Sequence, residues 1–202
     1  MTTLILDRGV EAALRAERKA SELDKRDEVW DGVYVIMPLA NVEHQQISFK
    51  LAMALDAVVG NFGMVFNGVN LSDRVTDWVK NYREPDVAVF LEGNAARNCG
   101  VHYAGGPDFL AEILSPNDPA RDKLPFYAKI GVREVLIVDR EPWGLELYQS
   151  QEGVFSLVGR STLEVPDWLT SAVLPARFRI IAGKIRPRIE VEHNESGQCW
   201  EA

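Results

Sequence analysis

Glu112 lies inside FLAEILS, a run from Phe109 whose residues are apolar on both alternating faces, so a carboxylate is built into what the pattern makes a buried strand. An unpaired charge there costs several kcal/mol, and the group therefore needs a cation, a hydrogen-bond network or a raised pKa. A second carboxylate, Asp86, follows Pro85 at the head of another apolar run, PDVAVFL. Carboxylates on adjacent strands repel unless a cation joins them, and a hard divalent ion such as Mg²⁺ or Mn²⁺ suits an all-oxygen setting. Taken singly, Glu112 also fits an ion pair with an arginine from a covering helix, and Asp86 fits a loop cap after proline. Lys123 falls near the start of the helix that leaves the Glu112 strand. Its amine can reach back over the strand's C-terminal end, where ligands gather in α/β sheets, or stay exposed as an ordinary helix lysine.

These residues need elements to hold them. Asp31-Gly32 between the alternating runs of EVWDGVYVIMP is a hairpin signal. Asn41 caps a helix through HQQISFKLAMALDAVVG, with Ile47, Leu51, Leu55 and Val58 on one stripe and Gly60 at its end. PDVAVFL and FLAEILS read as central strands covered on both sides. A helix from about Arg121 to Ile130, ended by Gly131, leads into the strand VREVLIVDR. LELYQS and VFSLV then close one edge as an antiparallel pair. Residues 1–26 form a helical extension, amphipathic from Val10 to Leu23, suited to packing or to a dimer contact. A final strand pair follows Ala176, and residues 192–202 read as a frayed tail. The whole chain, 1–202, is expected to be one α/β domain with a mixed central sheet flanked by helices and antiparallel hairpins at its edges.

Length and composition narrow the function classes. At 202 residues the chain buries roughly 70% of its unfolded surface as a single unit. Two cysteines without CxxC spacing, and three histidines, argue against a zinc cage and point to a reducing, cytoplasmic setting. No run approaches the length of a membrane span. The net charge of -8 is wrong for bulk attraction to nucleic acid, so any such surface must be local. The candidate is the run Arg177, Arg179, Lys184, Arg186 and Arg188, which alternates with apolar residues and equally suits a solvated hairpin face.

The motifs REPDVAVF and FLAEILSPNDPARDKLPFYAKIGVREVLIVDR, with EVWDGVYVIMP and EHQQI, resemble the Uma family of restriction-endonuclease-like proteins in the PD-(D/E)xK superfamily. The resemblance covers about Glu28 to Ser150. It implies that Asp86 and Glu112 are the acidic ligands of a Mg²⁺ or Mn²⁺ ion that assists phosphodiester hydrolysis. Leu114 occupies the place of the motif's lysine, and the resemblance assigns that role to Lys123, to orient water or neutralise developing charge. Ser115 is a secondary candidate at the strand end. His44 on the core helix and Glu28 on the first hairpin are further ligand or base candidates, and Tyr127 shares the helix face of Lys123. The implied partner is nucleic acid, most naturally DNA, cut by a homodimer when both strands are severed. The alternative is a nucleic-acid-binding or protein-interaction domain that keeps the fold without turnover, because Leu114 breaks the motif.

Overall fold

The structure is a computed structural model and describes residues 3–115 and 119–202; residues 116–118 of the long motif lie outside the described residues. The chain opens with β1 (Thr3–Ile5), α1 (Arg8–Ala20), β2 (Glu28–Trp30), β3 (Val33–Ile36) and α2 (Val42–Val59). Six strands follow: β4 (Gly63–Asn67), β5 (Leu71–Ser72), β6 (Tyr82–Arg83), β7 (Val87–Leu91), β8 (Arg97–Asn98) and β9 (Tyr103–Ala104). The second half runs β10 (Phe109–Ile113), α3 (Leu124–Lys129), β11 (Glu134–Arg140), β12 (Trp143–Gln151) and β13 (Val154–Thr162). It ends with β14 (Leu169–Thr170), β15 (Ala176–Ile181), β16 (Arg188–His193) and β17 (Cys199–Glu201). Among the described residues these strands make three sheets, and no helix is long and apolar enough to cross a membrane.

The central sheet has the order β13-β12-β11-β10-β7-β4. β10 and β11 run parallel across the α3 connection, whereas β7 lies antiparallel to β10. This register decides where the acidic residues go. Ala111 faces Val87, so the next pair outward is Glu112 opposite Asp86, on the same sheet face and at the same end. The odd residues of β10, Phe109, Ala111 and Ile113, pack on the core beneath α2 and the C-terminal sheet; Leu110 and Leu114 face the second core, beside α3. Both faces are therefore covered, by one helix and one additional sheet each, which explains why neither central run alternates in polarity.

Local chemistry sets the supporting elements. Asp31 (φ 48°) and Gly32 (φ 86°) both adopt the left-handed backbone that a two-residue hairpin turn requires. Asn41 Oδ1 accepts the His44 N–H at 2.8 Å and starts α2, whose Ile47, Leu51, Leu55 and Val58 are buried. Phe109 of the central sheet stacks on Phe178 of the C-terminal sheet with centroids 5.6 Å apart.

Two expectations are corrected. The N-terminal extension is more than a helix: β1 pairs with β3 and joins a sheet of order β1-β3-β2-β6-β5-β9-β8. The tail after Val191 is not frayed, because β17 pairs with β16 and Ala202 exchanges backbone hydrogen bonds with Ile189 while fully buried. Trp200 packs against the core from the same strand. Removing residues 198–202 should thus lower the urea-unfolding free energy by about 2–4 kcal/mol, from ladder bonds of about 1 kcal/mol each and lost apolar contact. An unchanged midpoint would mean that the strand contributes nothing.

Candidate active site

Asp86, Glu112, Lys123, His44, Glu28 and Ser115 all line one pocket, together with Arg26, Met37, Pro38, Ala40 and Glu84. Five of them arrive on different parts of the chain, and Ser115 follows Glu112 at the end of β10. Asp86 precedes β7, Glu112 is on β10, Lys123 ends the short 3-10 turn before α3, His44 is in the first turns of α2, and Glu28 opens β2. Met37, Pro38 and Ala40 form an apolar wall from the segment between β3 and α2.

The Lys123 ammonium is buried between two carboxylates, with Nζ 2.9 Å from Glu28 Oε1 and 3.0 Å from Glu112 Oε1. Tyr127, one turn further on, donates its hydroxyl to the same Glu112 oxygen. Tyr127 shares the helix face of Lys123 as the spacing predicts, and its hydroxyl makes it a member of the polar network. Leu114 packs in the apolar cluster with Phe126, so the amine reaches Glu112 from the following turn. Asp86 is fixed from two sides: its Oδ2 accepts the Ile113 N–H at 2.8 Å and lies 3.1 Å from His44 Nε2.

Two residues were missed. Glu84 is two positions before Asp86 in REPD, with Oε1 3.2 Å from Arg26 Nη1, which in turn is 3.8 Å from Asp86 Oδ1. The carboxylate at alternate spacing with Asp86 was the available signal; Arg26, at the end of a charged stretch, had none.

The pocket is electrostatically unbalanced. Glu28, Glu84, Asp86 and Glu112 converge against the cations Lys123 and Arg26. Burial pushes the Glu112 carboxyl well above the usual carboxylate range; Asp86 and Glu28 push it further while Lys123 and Tyr127 oppose. Burial also raises Glu84, with Glu28 and Asp86 adding and Arg26 and Lys123 opposing. Among the described residues no three His, Cys, Asp or Glu side chains form a ready-made metal cage. The donor set nevertheless fits a hard ion such as Mg²⁺, which takes one or two carboxylates and keeps waters and substrate oxygens. A cation at Asp86 and Glu112 would relieve their repulsion. The cavity volume of about 40 Å³ has room for such an ion and a few waters.

Comparisons with known proteins now bear on this arrangement. The Uma2 family model, described as "Putative restriction endonuclease", matches residues 11–182. A crystal structure titled as a putative nuclease belonging to DUF820, from Anabaena variabilis, superposes with a TM-score of 0.56 at 19% identity, over 72% of this chain and 80% of that one. It shares the fold. No curated protein matches the chain.

The buried network makes a measurable demand. Lys123→Met leaves two buried carboxylates without their shared cation and should cost about 3–5 kcal/mol in urea unfolding at neutral pH. Adding Glu112→Gln should restore part of that loss, with a coupling of about 0.5–3 kcal/mol. Strictly additive losses would show that the pair does not interact.

Proposed function

Because the chain belongs to the Uma2 family, we propose that it is a divalent-metal-dependent endonuclease acting on DNA, with Asp86 and Glu112 as the metal ligands and Lys123 as the catalytic amine. The observation that carries this reading is the convergence of Asp86, Glu112 and Lys123 on one acid-rich pocket, with Lys123 Nζ 3.0 Å from Glu112.

The bound ion would supply Lewis acidity toward the phosphate and lower the pKa of an attacking water. The chain's own residues do the rest. His44 and the Ile113 N–H hold the Asp86 carboxylate in place, and Tyr127 and Lys123 do the same for Glu112. Glu28 fixes the Lys123 amine from the other side, so a positive charge stands ready where negative charge develops on the phosphate. Ser115 contributes a hydroxyl at the same strand end. The scissile phosphate would reach the site from the pocket's open side, which Met37, Pro38 and Ala40 help to line. A two-fold pair of chains would supply the two sites that double-strand cutting needs.

One observation favours the second reading, a nucleic-acid-binding or protein-interaction domain without turnover: Leu114 is buried where the motif carries lysine. Nicking of supercoiled plasmid with Mg²⁺ or Mn²⁺ separates the two. The wild-type protein should nick, and Glu112→Gln or Asp86→Asn should slow it on the order of 10²-fold or more. His44→Ala, which removes a partner of Asp86, should weaken metal affinity about 10–100-fold by calorimetry. Equal cutting by wild type and Glu112→Gln would end the proposal.

A further inference from the structure

The basic residues of the C-terminal sheet divide into two sets. Arg177 and Arg179 pair across the ladder with Glu192 at 2.7 Å and Glu190 at 2.5 Å, and both guanidiniums lie over the Trp168 ring. Their charges are neutralised where they stand. Arg186, from the turn between β15 and β16, instead reaches α2: its Nε is 3.6 Å from Glu43 Oε1 and its Nη2 3.4 Å from Gln46 Oε1.

There it meets Arg140, at the end of β11. Arg140 Nε and Nη2 donate to the Leu114 carbonyl at 3.0 and 2.9 Å, and Nη1 donates to Asn41 Oδ1 and Glu43 Oε2. One carboxylate is thus shared by two guanidiniums. Burial pushes the Arg186 guanidinium down, the like charges of Arg188 and Arg140 act the same way, and Glu43 opposes them. Arg188 Nη1 is buried with no hydrogen-bond partner among the described residues. In a chain of net charge -8, two guanidiniums on one carboxylate, with Arg188 close enough to Arg186 to act on it by like charge, form a local cationic excess. Its most accessible member is the carboxylate: the side chains of Glu43, Arg186 and Arg140 are 40%, 11% and 6% exposed.

The cluster adjoins the pocket, since Leu114 precedes the pocket residue Ser115 and Asn41 follows Ala40. Leu39, Val42 and Ile185, all strongly exposed, come from the same segments. A polynucleotide offers both chemistries in one ligand, phosphates for the arginines and apolar base and sugar surface for contact with these aliphatic tips. We propose that Arg140, Arg186 and Arg188 form a phosphate subsite for a nucleic-acid strand passing over the pocket, and that the strand's phosphate displaces Glu43 as the counter-ion of Arg140 and Arg186. This rests on the nuclease reading for its ligand class, but binding can be measured without catalysis.

The test is fluorescence anisotropy of a labelled DNA oligonucleotide in EDTA, across a KCl series. Arg186→Gln should weaken binding about 10-fold at low salt and reduce the slope of log affinity against log salt by about 0.7–0.9, one lost phosphate contact. Arg186→Lys should retain the slope, Glu43→Gln should bind several-fold tighter, and Arg177→Gln should bind as wild type. The subsite is refuted if Arg186→Gln and Glu43→Gln both match wild type, if Arg177→Gln weakens binding as much as Arg186→Gln, or if wild type binds no oligonucleotide. Arg186-dependent binding by a protein that cuts nothing supports the subsite and refutes the catalytic reading alone. Cutting by wild type with Arg186-independent binding does the reverse.

Discussion

A single buried ammonium joins the parts of this molecule that matter for its chemistry. Lys123 holds Glu28 from the N-terminal sheet and Glu112 from the central sheet, so two sheets meet through one charge. Low dielectric makes each of those interactions strong and makes any missing partner costly. Tyr127, the Glu84 backbone N–H and the Trp30 indole add further hydrogen bonds to these carboxylates. The rest of the site is arranged around this fixed point.

The second constraint is register. Antiparallel pairing of β7 with β10 turns two motifs that are distant in the chain into facing carboxylates at one sheet end. A one-residue slip would send Asp86 to the opposite face and leave Glu112 with no acidic partner from that strand. What opposes that slip is the close packing of each face against its own core and the Asp86 carboxylate itself, which would lose the Ile113 N–H and His44 and enter the apolar core beneath α2. Core packing and site geometry are in this sense one requirement.

Much of this was legible in the residues. The Asp31-Gly32 hairpin, the Asn41-capped helix and the two central apolar runs each carry a strong local signal, and Glu112 was conspicuous as a carboxylate among apolar neighbours. The facing of Asp86 and Glu112 was not legible, because periodicity assigns strands but no cross-strand partner. β5, β6, β8 and β9 have two residues each, too few to show any period, so most of the N-terminal sheet was hidden. The tail misled for a related reason: the polar turn between β16 and β17 separates two strands whose pairing only tertiary structure shows. The alternation of arginines in β15 was plain, yet the glutamates that neutralise two of them lie on the facing strand.

Glu28 and Lys123 are 95 positions apart, and their contact has a consequence for the order of events during folding. One ion pair in water does not offset the entropy of closing such a span, so the contact is stable only where the packing of both cores brings its partners together. A partly folded chain therefore carries its acidic residues in water, apart from one another and without the amine. Competence at the pocket arises in the same cooperative step as global stability, and any local opening of the first hairpin dissolves it again.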